Sequence, residues 1–209
     1  MYWLTQSLLS KWQHFLDADD AYADTALQSF LSLLRLEEKE MTPAMQAGID
    51  FEAAINAAIS GEELEPVGDK HDRAVRRFTH LCAGGQPQVP IAGRIKAYGL
   101  DFQLYGVCDY VKAGTIYDIK RVQRYEYGKY FRSPQHPMYL HLLPEARKFT
   151  YLVFDGSNTY TETYRRGDFP PIEETILKFV RWLDEFEYMD DYKKYWAMNE
   201  RRMEKVYEL

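Results

Sequence analysis

Hydrophobic and polar residues follow a helical spacing in the first part of the chain, an alternating one in the middle and a helical one again near the end. Apolar positions that recur every three to four residues predict amphipathic helices. Thr42 and Pro43 are typical of a helix start, and Gly84 and Gly85 of a helix stop. The pattern predicts four helices before residue 85, at residues 3–16, 22–36, 43–60 and 69–82.

Beyond residue 85 the alternation of apolar and polar residues predicts strands. The predicted elements are strands at 88–99, 101–111 and 115–123, a short helix at 133–143, strands at 148–156 and 159–166, and helical structure from Pro171 to the end. The strand–helix–strand unit implies a right-handed crossover between parallel strands. We therefore expect one domain over residues 1–209 with an α/β fold, in which helices flank a mixed central sheet.

Asp109, Asp118 and Lys120 interrupt the apolar pattern of the hairpin at residues 106–123. If its turn lies at residues 113–114, Asp109 is directly opposite Asp118, and Asp118 shares a strand face with Lys120. A slip of one residue would break this arrangement, so the register is an assumption. With that register, we expect all three charged groups to converge on one patch.

Two carboxylates on one patch repel each other unless a cation lies between them. Mg²⁺ prefers oxygen ligands and often uses one or two carboxylates with waters and substrate phosphates, and the carbonyl of Ile119 is a further candidate ligand. Lys120 would then orient or activate a water, or neutralise a phosphate. These groups suit the hydrolysis of a phosphodiester. The alternative is an ordinary ion pair of Asp118 with Lys120 at a sheet edge, with Asp109 exposed.

Two further segments contribute candidate residues. Glu52 lies on a predicted helix among small and apolar residues, where a carboxylate needs a partner such as a metal ion. Gln135 and Tyr139 lie four residues apart on one helical face and suit contacts with a phosphate, a base or the lysine. A surface glutamate and a packed tyrosine are the ordinary alternatives. The loop before this helix mixes aromatic residues with basic ones that we expect to bind DNA, namely Arg121, Arg124, Lys129 and Arg132.

The chain resembles the PD-(D/E)XK nuclease superfamily, in its RecB-like and phage-exonuclease-like branch, through four segments in order. These are GIDFE with Glu52, GVCDYV with Asp109, IYDIK with Asp118, Ile119 and Lys120, and SPQHPMY with Gln135 and Tyr139. The match covers the segment 42–155. The resemblance implies a restriction-endonuclease-like αβββαβ core and hydrolysis of DNA with Mg²⁺ or Mn²⁺.

The same resemblance assigns roles to the matched residues. It assigns the metal ion to Glu52, Asp109, Asp118 and the carbonyl of Ile119. It assigns Lys120 to the attacking water, and Gln135 and Tyr139 to the shape of the site and to the substrate. Branches with an iron–sulfur cluster need four cysteines, whereas this chain has two, so we expect no such cluster.

The composition limits the partners. The net charge is −6, whereas proteins that coat DNA are usually basic, so DNA must be met by a local basic patch. No apolar run is long enough for a membrane span, and the first residues lack the features of a secretory signal, so we expect a cytoplasmic protein.

The sequence therefore predicts a metal-dependent, exonuclease-like DNA nuclease of phage or bacterial recombination, repair or defence. Self-association and a recombination or repair partner protein are further options. Two alternatives stay open: a catalytically silent nuclease-like module that binds DNA or a protein, and an unrelated α/β protein in which the acidic residues do not converge.

Overall fold

A computed structural model describes residues 1–38 and 40–198 of the chain. Within these residues it contains six strands and seven helices. The helices are α1 Gln6–Leu16, α2 Ala23–Leu34, α3 Pro43–Ile59, α4 Asp69–Cys82, α5 Gln135–Leu142, α6 Ile172–Glu185 and α7 Met189–Trp196. The strands are β1 Tyr2–Thr5, β2 Gln86–Ala97, β3 Leu100–Lys112, β4 Thr115–Arg121, β5 Lys148–Phe154 and β6 Thr159–Arg165.

The long strand β3 organises the mixed six-stranded sheet. Strand β2 pairs with it in antiparallel fashion along almost its whole length. The opposite edge of β3 is shared, because β1 runs parallel to residues 102–105 and β4 runs antiparallel to residues 110–112. Strand β4 also pairs with β5 in parallel, and helix α5 connects these two strands. Strand β6 pairs with β5 in antiparallel fashion and is the last strand of the sheet on this side. The segment of β3 between its two partners is left open on this edge.

Helices cover both faces of the sheet. Alternate residues of β5 belong to two different hydrophobic clusters, with Tyr151 and Val153 in one and Leu152 and Phe154 in the other. The smaller cluster, here the α3–α4 cluster, joins these two helices to the sheet. The larger one, the α1–α7 cluster, joins helices α1, α2, α5, α6 and α7 to the other face. A strand that is buried on both faces is typical of α/β folds.

The order α4–β2–β3–β4–α5–β5 is the expected αβββαβ order, and the predicted mixed α/β fold is confirmed. Helix α3 begins as predicted, with Thr42 Oγ1 accepting the backbone N–H of Met45 at 3.2 Å. Helix α5 begins at Gln135, inside the predicted range 133–143, because Ser133 Oγ accepts the N–H of Gln135 and Pro134 is the cap residue. Residues 199–209 of the predicted C-terminal helical region lie outside the described residues.

One predicted element is wrong at its start. Residues 3–5 were expected to begin the first helix, but they belong to strand β1. Pairing with Phe102–Tyr105 decides the conformation, and Trp3 and Leu4 are both buried. Across residues 1–38 and 40–198, no helix combines the length and the apolar character that crossing a membrane requires.

Candidate active site

The open segment of β3 forms the floor of a pocket. The pairing of Tyr110 with Tyr117 and of Lys112 with Thr115 confirms the predicted hairpin register. Ladder pairing does not extend to Asp109 and Asp118. Instead, Asp109 Oδ2 accepts the backbone N–H of Ile119 at 2.7 Å. The two strands therefore separate at the carboxylates and leave room beside them.

The pocket has a volume of about 200 Å³ and is lined by the charged residues of the hairpin, Asp109, Asp118 and Lys120. Helix α5 adds Gln135 and Tyr139 to the same wall. The structure thus brings together five of the residues that the sequence singled out.

Asp118 is the most constrained of these groups. Its side chain is 4% exposed. Its Oδ2 lies 2.7 Å from Lys120 Nζ, and its Oδ1 accepts a hydrogen bond from Gln135 Nε2 at 2.6 Å. Gln135 reaches this atom because it is the first residue of α5, directly after the turn that Ser133 stabilises.

The charges of the pocket shift each other's protonation. Burial, followed by repulsion from Asp118, raises the pKa of Asp109 well above its ordinary value. Burial alone would lower the pKa of Lys120, but attraction by Asp118 and Asp109 outweighs it and raises that pKa. Lys120 therefore stays protonated at neutral pH, whereas the charged form of Asp109 is destabilised.

Tyr139 fits against the floor of the pocket because residue 106 is a glycine. A Cβ atom at Gly106 would lie 2.6 Å from Cε1 of Tyr139 and 2.9 Å from its hydroxyl oxygen. Burial, and then the charge of Asp118, raise the pKa of the Tyr139 hydroxyl, so that it remains a protonated donor. Gly106 is a site residue that the sequence prediction missed, although it opens the quoted segment GVCDYV.

Glu52 lies outside the pocket wall. Its Oε1 accepts a hydrogen bond from Gln88 Nε2 at 2.7 Å. Burial and the charge of Asp118 raise the pKa of Glu52, whereas Lys120 and the bond from Gln88 lower it, so Glu52 lies within electrostatic reach of the site. Gly48, four residues before Glu52 on α3, makes no close approach to another element, since a Cβ there would meet nothing within 4 Å.

The four basic residues expected to bind DNA are absent from the pocket wall. The guanidinium of Arg121 lies over the Phe154 ring, 4.9 Å from its centroid, in the α3–α4 cluster. Arg124 forms an exposed ion pair with Glu126 at 2.6 Å, and Arg132 forms one with Asp17 at 2.5 Å. Lys129 Nζ donates to the carbonyl of Arg124 at 3.3 Å.

The start of α1 forms a further part of the wall that the sequence prediction missed. Thr5, Gln6 and Ser7 line the pocket, and Thr5 Oγ1 accepts the N–H of Leu8 at 3.3 Å. The first N–H groups of a helix have no partner within it and favour anions. A threonine just before an apolar helical repeat is a recognisable cap, but only the β1–β3 pairing brings it to this pocket.

The oxygen ligands of the pocket fit a divalent cation in part. Asp109 and Asp118 offer carboxylates only, which suits Mg²⁺ or Mn²⁺, and Mg²⁺ commonly uses one or two carboxylates with waters. A cation beside them would relieve the repulsion that raises the pKa of Asp109. Within residues 1–38 and 40–198, however, no three histidine, cysteine, aspartate or glutamate side chains are grouped closely enough for a metal site. The fit therefore rests on two carboxylates, without Glu52.

Comparison with known proteins supports the fold. The crystal structure of SSO0001 matches with a TM-score of 0.55 and 12% sequence identity, over 90% of this chain and 77% of that chain. This likeness shows a shared fold. The crystal structure of LHK-Exo in complex with dAMP matches with a TM-score of 0.43 and 14% identity, over 89% of this chain and 90% of that chain. A TM-score this low does not establish a shared fold. No protein-family model and no curated protein matches the chain.

Proposed function

We propose that this chain is a metal-dependent DNA nuclease of the PD-(D/E)XK type. One observation carries the proposal: Asp109, Asp118, Lys120, Gln135 and Tyr139 line a single pocket. These residues come from three separate elements, and they are the ones that the resemblance assigns to catalysis. Exonuclease-like action and a role in phage or bacterial recombination, repair or defence belong to the same proposal.

The cofactor in this proposal is Mg²⁺ or Mn²⁺, held by Asp109 and Asp118 with the carbonyl of Ile119. Glu52 would act as an outer acidic group. Bound at this position, the ion supplies an activated water and neutralises charge on the phosphate. In the reaction the water oxygen would bond to phosphorus and give up a proton, one P–O ester bond would break, and the leaving oxygen would take up a proton, so that no net proton is gained or lost.

Lys120 contributes a fixed positive charge to this reaction. Its ammonium lies 2.7 Å from Asp118 and its pKa is raised, so it donates hydrogen bonds and does not act as a base. We assign it to holding the attacking water and to stabilising the charge that develops on the phosphate. Gln135 holds Asp118 through its amide N–H, and Tyr139 offers a protonated hydroxyl to the substrate.

The start of α1 suits the scissile phosphate. Gln6 and Ser7 are the first two residues of this helix and line the same pocket as the carboxylates. Backbone N–H groups at a helix start and the helix dipole favour a phosphate group. The substrate phosphate would then lie between this wall and Lys120.

A silent nuclease-like module is the second candidate. It is favoured by the contacts that already occupy the carboxylates, since Lys120 pairs with Asp118 and the Ile119 N–H binds Asp109. In such a module the same contacts would replace a metal ion permanently. It predicts DNA or protein binding without cleavage.

The test is a cleavage assay on end-labelled linear DNA and closed circular DNA, with Mg²⁺, Mn²⁺ or EDTA. We expect metal-dependent loss of linear DNA by the wild-type protein and none by Asp118→Asn. Asp101→Asn is the matched control, because Asp101 is an exposed aspartate that pairs with Lys96. Cutting of circles would indicate an endonuclease at the same site. Absence of cleavage in every metal would contradict the proposal and favour the silent module.

A further inference from the structure

The segment between β4 and α5, residues 122–134, begins and ends at the pocket. Lys120 lines the pocket just before this β4–α5 loop, and Gln135 lines it just after. The loop has a local charge opposite to that of the whole chain. Residues 122–134 carry three basic residues, Arg124, Lys129 and Arg132, against one acidic residue, Glu126, in a chain of net charge −6.

A buried carboxylate holds the loop from beneath. Glu162 on β6 is 2% exposed and accepts the hydroxyl groups of Tyr125 and Tyr164. It also accepts the backbone N–H groups of Gly128 and Tyr130, each at 3.3 Å. The loop is therefore tied to the sheet at several points, which limits its freedom to fold away from the pocket.

The aromatic rings of the loop divide into an inner and an outer set. Tyr130 stacks on Tyr151 with ring centroids 4.3 Å apart, and Tyr125 packs against Tyr160 at 4.6 Å. The outer set differs, because Tyr127 is 84% exposed and Phe131 is 57% exposed. Tyr127 is the most exposed large apolar side chain in the described part of the chain. Phe131 keeps one tilted ring contact, with Tyr164 at 6.3 Å, but more than half of each outer ring is exposed to solvent. Apolar surface exposed on an anchored loop is typical of an interaction site.

Exposed rings interleaved with basic side chains are what proteins use to bind single-stranded nucleic acid. Bases stack on the rings, and the basic groups follow the phosphates. The faces of bases inside a duplex are already covered by their neighbours, so this contact selects unpaired nucleotides. The ion pairs of Arg124 and Arg132 are exposed and are therefore weak enough to exchange for phosphates.

We infer that the β4–α5 loop is a stacking platform for unpaired bases, formed by Tyr127 and Phe131, which leads a single DNA strand into the pocket. The inference rests on the proposed nuclease function for its choice of DNA. It adds the substrate class: the DNA enters as a single strand, either a free strand or the frayed end of a duplex.

The test measures binding in EDTA, so that it does not depend on cleavage. Fluorescence anisotropy gives the Kd for a labelled single-stranded oligonucleotide and for the duplex of the same sequence. We expect the wild type to prefer the single strand. Tyr127→Ala combined with Phe131→Ala should raise the single-strand Kd at least about tenfold, which is the scale of one stacked base.

The matched control combines Tyr98→Ala with Phe186→Ala. These two exposed aromatics belong to other parts of the chain, the β2–β3 turn and the residue after α6, and their removal should leave Kd unchanged. A second readout is 2-aminopurine in the oligonucleotide, whose fluorescence should be quenched by the wild type and not by the loop variant. Equal Kd values for single strand and duplex, or an unchanged Kd in the loop variant, would overturn the inference.

The experiments distinguish a failure of this inference from a failure of the proposed nuclease function. A wild type that cleaves DNA while the loop variant binds normally would overturn the platform and leave the nuclease standing. A wild type that binds single strands through these rings and cleaves nothing would support the platform and contradict the nuclease.

Discussion

At the scale of single residues, the pocket destabilises the charged form of Asp109. Folding partly buries it beside Asp118, and these two effects raise its pKa well above the ordinary value of 3.8. A protein tolerates such a cost where function requires it. The carboxylate has a backbone hydrogen bond from Ile119, which lowers the pKa but does not cancel the rise.

Asp109→Asn should therefore stabilise the protein in EDTA at neutral pH. Above pH 3.8 and up to the raised pKa, the folded wild type binds the proton more tightly than the unfolded chain, so its stability falls as pH rises. Asparagine removes this loss and keeps an oxygen for the Ile119 N–H. Urea unfolding between pH 4 and 8 should show an advantage of the variant that shrinks towards low pH.

The control for this prediction is Asp101→Asn, which should unfold as the wild type does at every pH. Adding Mn²⁺ should raise the stability of the wild type and not that of Asp109→Asn, because only the wild type keeps both carboxylates. An advantage of the variant that does not change with pH would contradict the account of Asp109.

The sequence predicted which charged residues of the hairpin meet, because strand alternation and the turn position fix a register. It did not predict the partners that Arg132, Arg121 and Glu52 find. Those partners, Asp17, Phe154 and Gln88, lie in other elements, and their distances depend on how the elements pack. No local pattern contains that information.

At the scale of elements, the contact between β3 and α5 depends on Gly106. Gly106→Ala would place a Cβ 2.6 Å from the Tyr139 ring, so the ring or the strand must move. We expect a loss of about 1–3 kcal/mol in the free energy of unfolding, the usual cost of overpacking. Chemical unfolding measures it, and cleavage activity should fall with the displacement of Tyr139.

Gly48→Ala is the matched control for this substitution. Gly48 lies within α3 with nothing within 4 Å of a Cβ, so the same change should stabilise the protein by about 0.5–1 kcal/mol through helix propensity. In a Tyr139→Leu background the cost of Gly106→Ala should fall, because the clashing atoms are gone. An unchanged cost in that background would place the strain elsewhere.

The β4–α5 loop depends on Glu162 in the same way. Glu162→Gln removes the charge that strengthens its hydrogen bonds to Tyr125 and to two backbone N–H groups. Trypsin should cut the native variant at Arg124 or Lys129 about tenfold faster than the wild type, since about 1.4 kcal/mol of anchoring gives that factor. Asp101→Asn, a change at an exposed carboxylate outside the loop, should leave the rate as it is. Equal rates for all three proteins would contradict the anchoring role.

Element prediction failed at β1 for a physical reason. The strand has four residues, and its buried pair Trp3 and Leu4 continues into the apolar repeat of α1. Over so short a stretch, helix and strand periodicity cannot be told apart. The parallel pairing with Phe102–Tyr105 is what makes it a strand, and it is formed with a part of the chain far away in sequence.

At the scale of the whole molecule, the two hydrophobic clusters share one sheet. We expect a single cooperative unfolding transition, because β3, β4 and β5 contribute buried residues to both clusters. All four tryptophans, Trp3, Trp12, Trp182 and Trp196, belong to or pack against the α1–α7 cluster, so their fluorescence reports on that side. Far-UV circular dichroism reports on both sides. Coincident urea curves are expected, and separate curves would show that the α3–α4 side unfolds independently.

The order of elements from Pro43 to Arg165 could be predicted from the sequence, because each helix and strand there has its own periodicity and stop signals. The position of the pocket could not. It arises where β1 and β4 leave one edge of β3 open between them, and that gap is a property of the assembled sheet.

The most direct test of the central claim is single-turnover cleavage of a single-stranded oligonucleotide in Mn²⁺ by the wild type and by Lys120→Met. The account predicts cleavage by the wild type, a rate lower by about 10²–10⁴-fold in the variant, and Mn²⁺ binding retained in both, since Lys120 assists the reaction without holding the metal. Lys96→Met, at an exposed lysine, should cleave as the wild type does. Equal rates for Lys120→Met and the wild type, or no cleavage by a wild type that binds Mn²⁺, would contradict it.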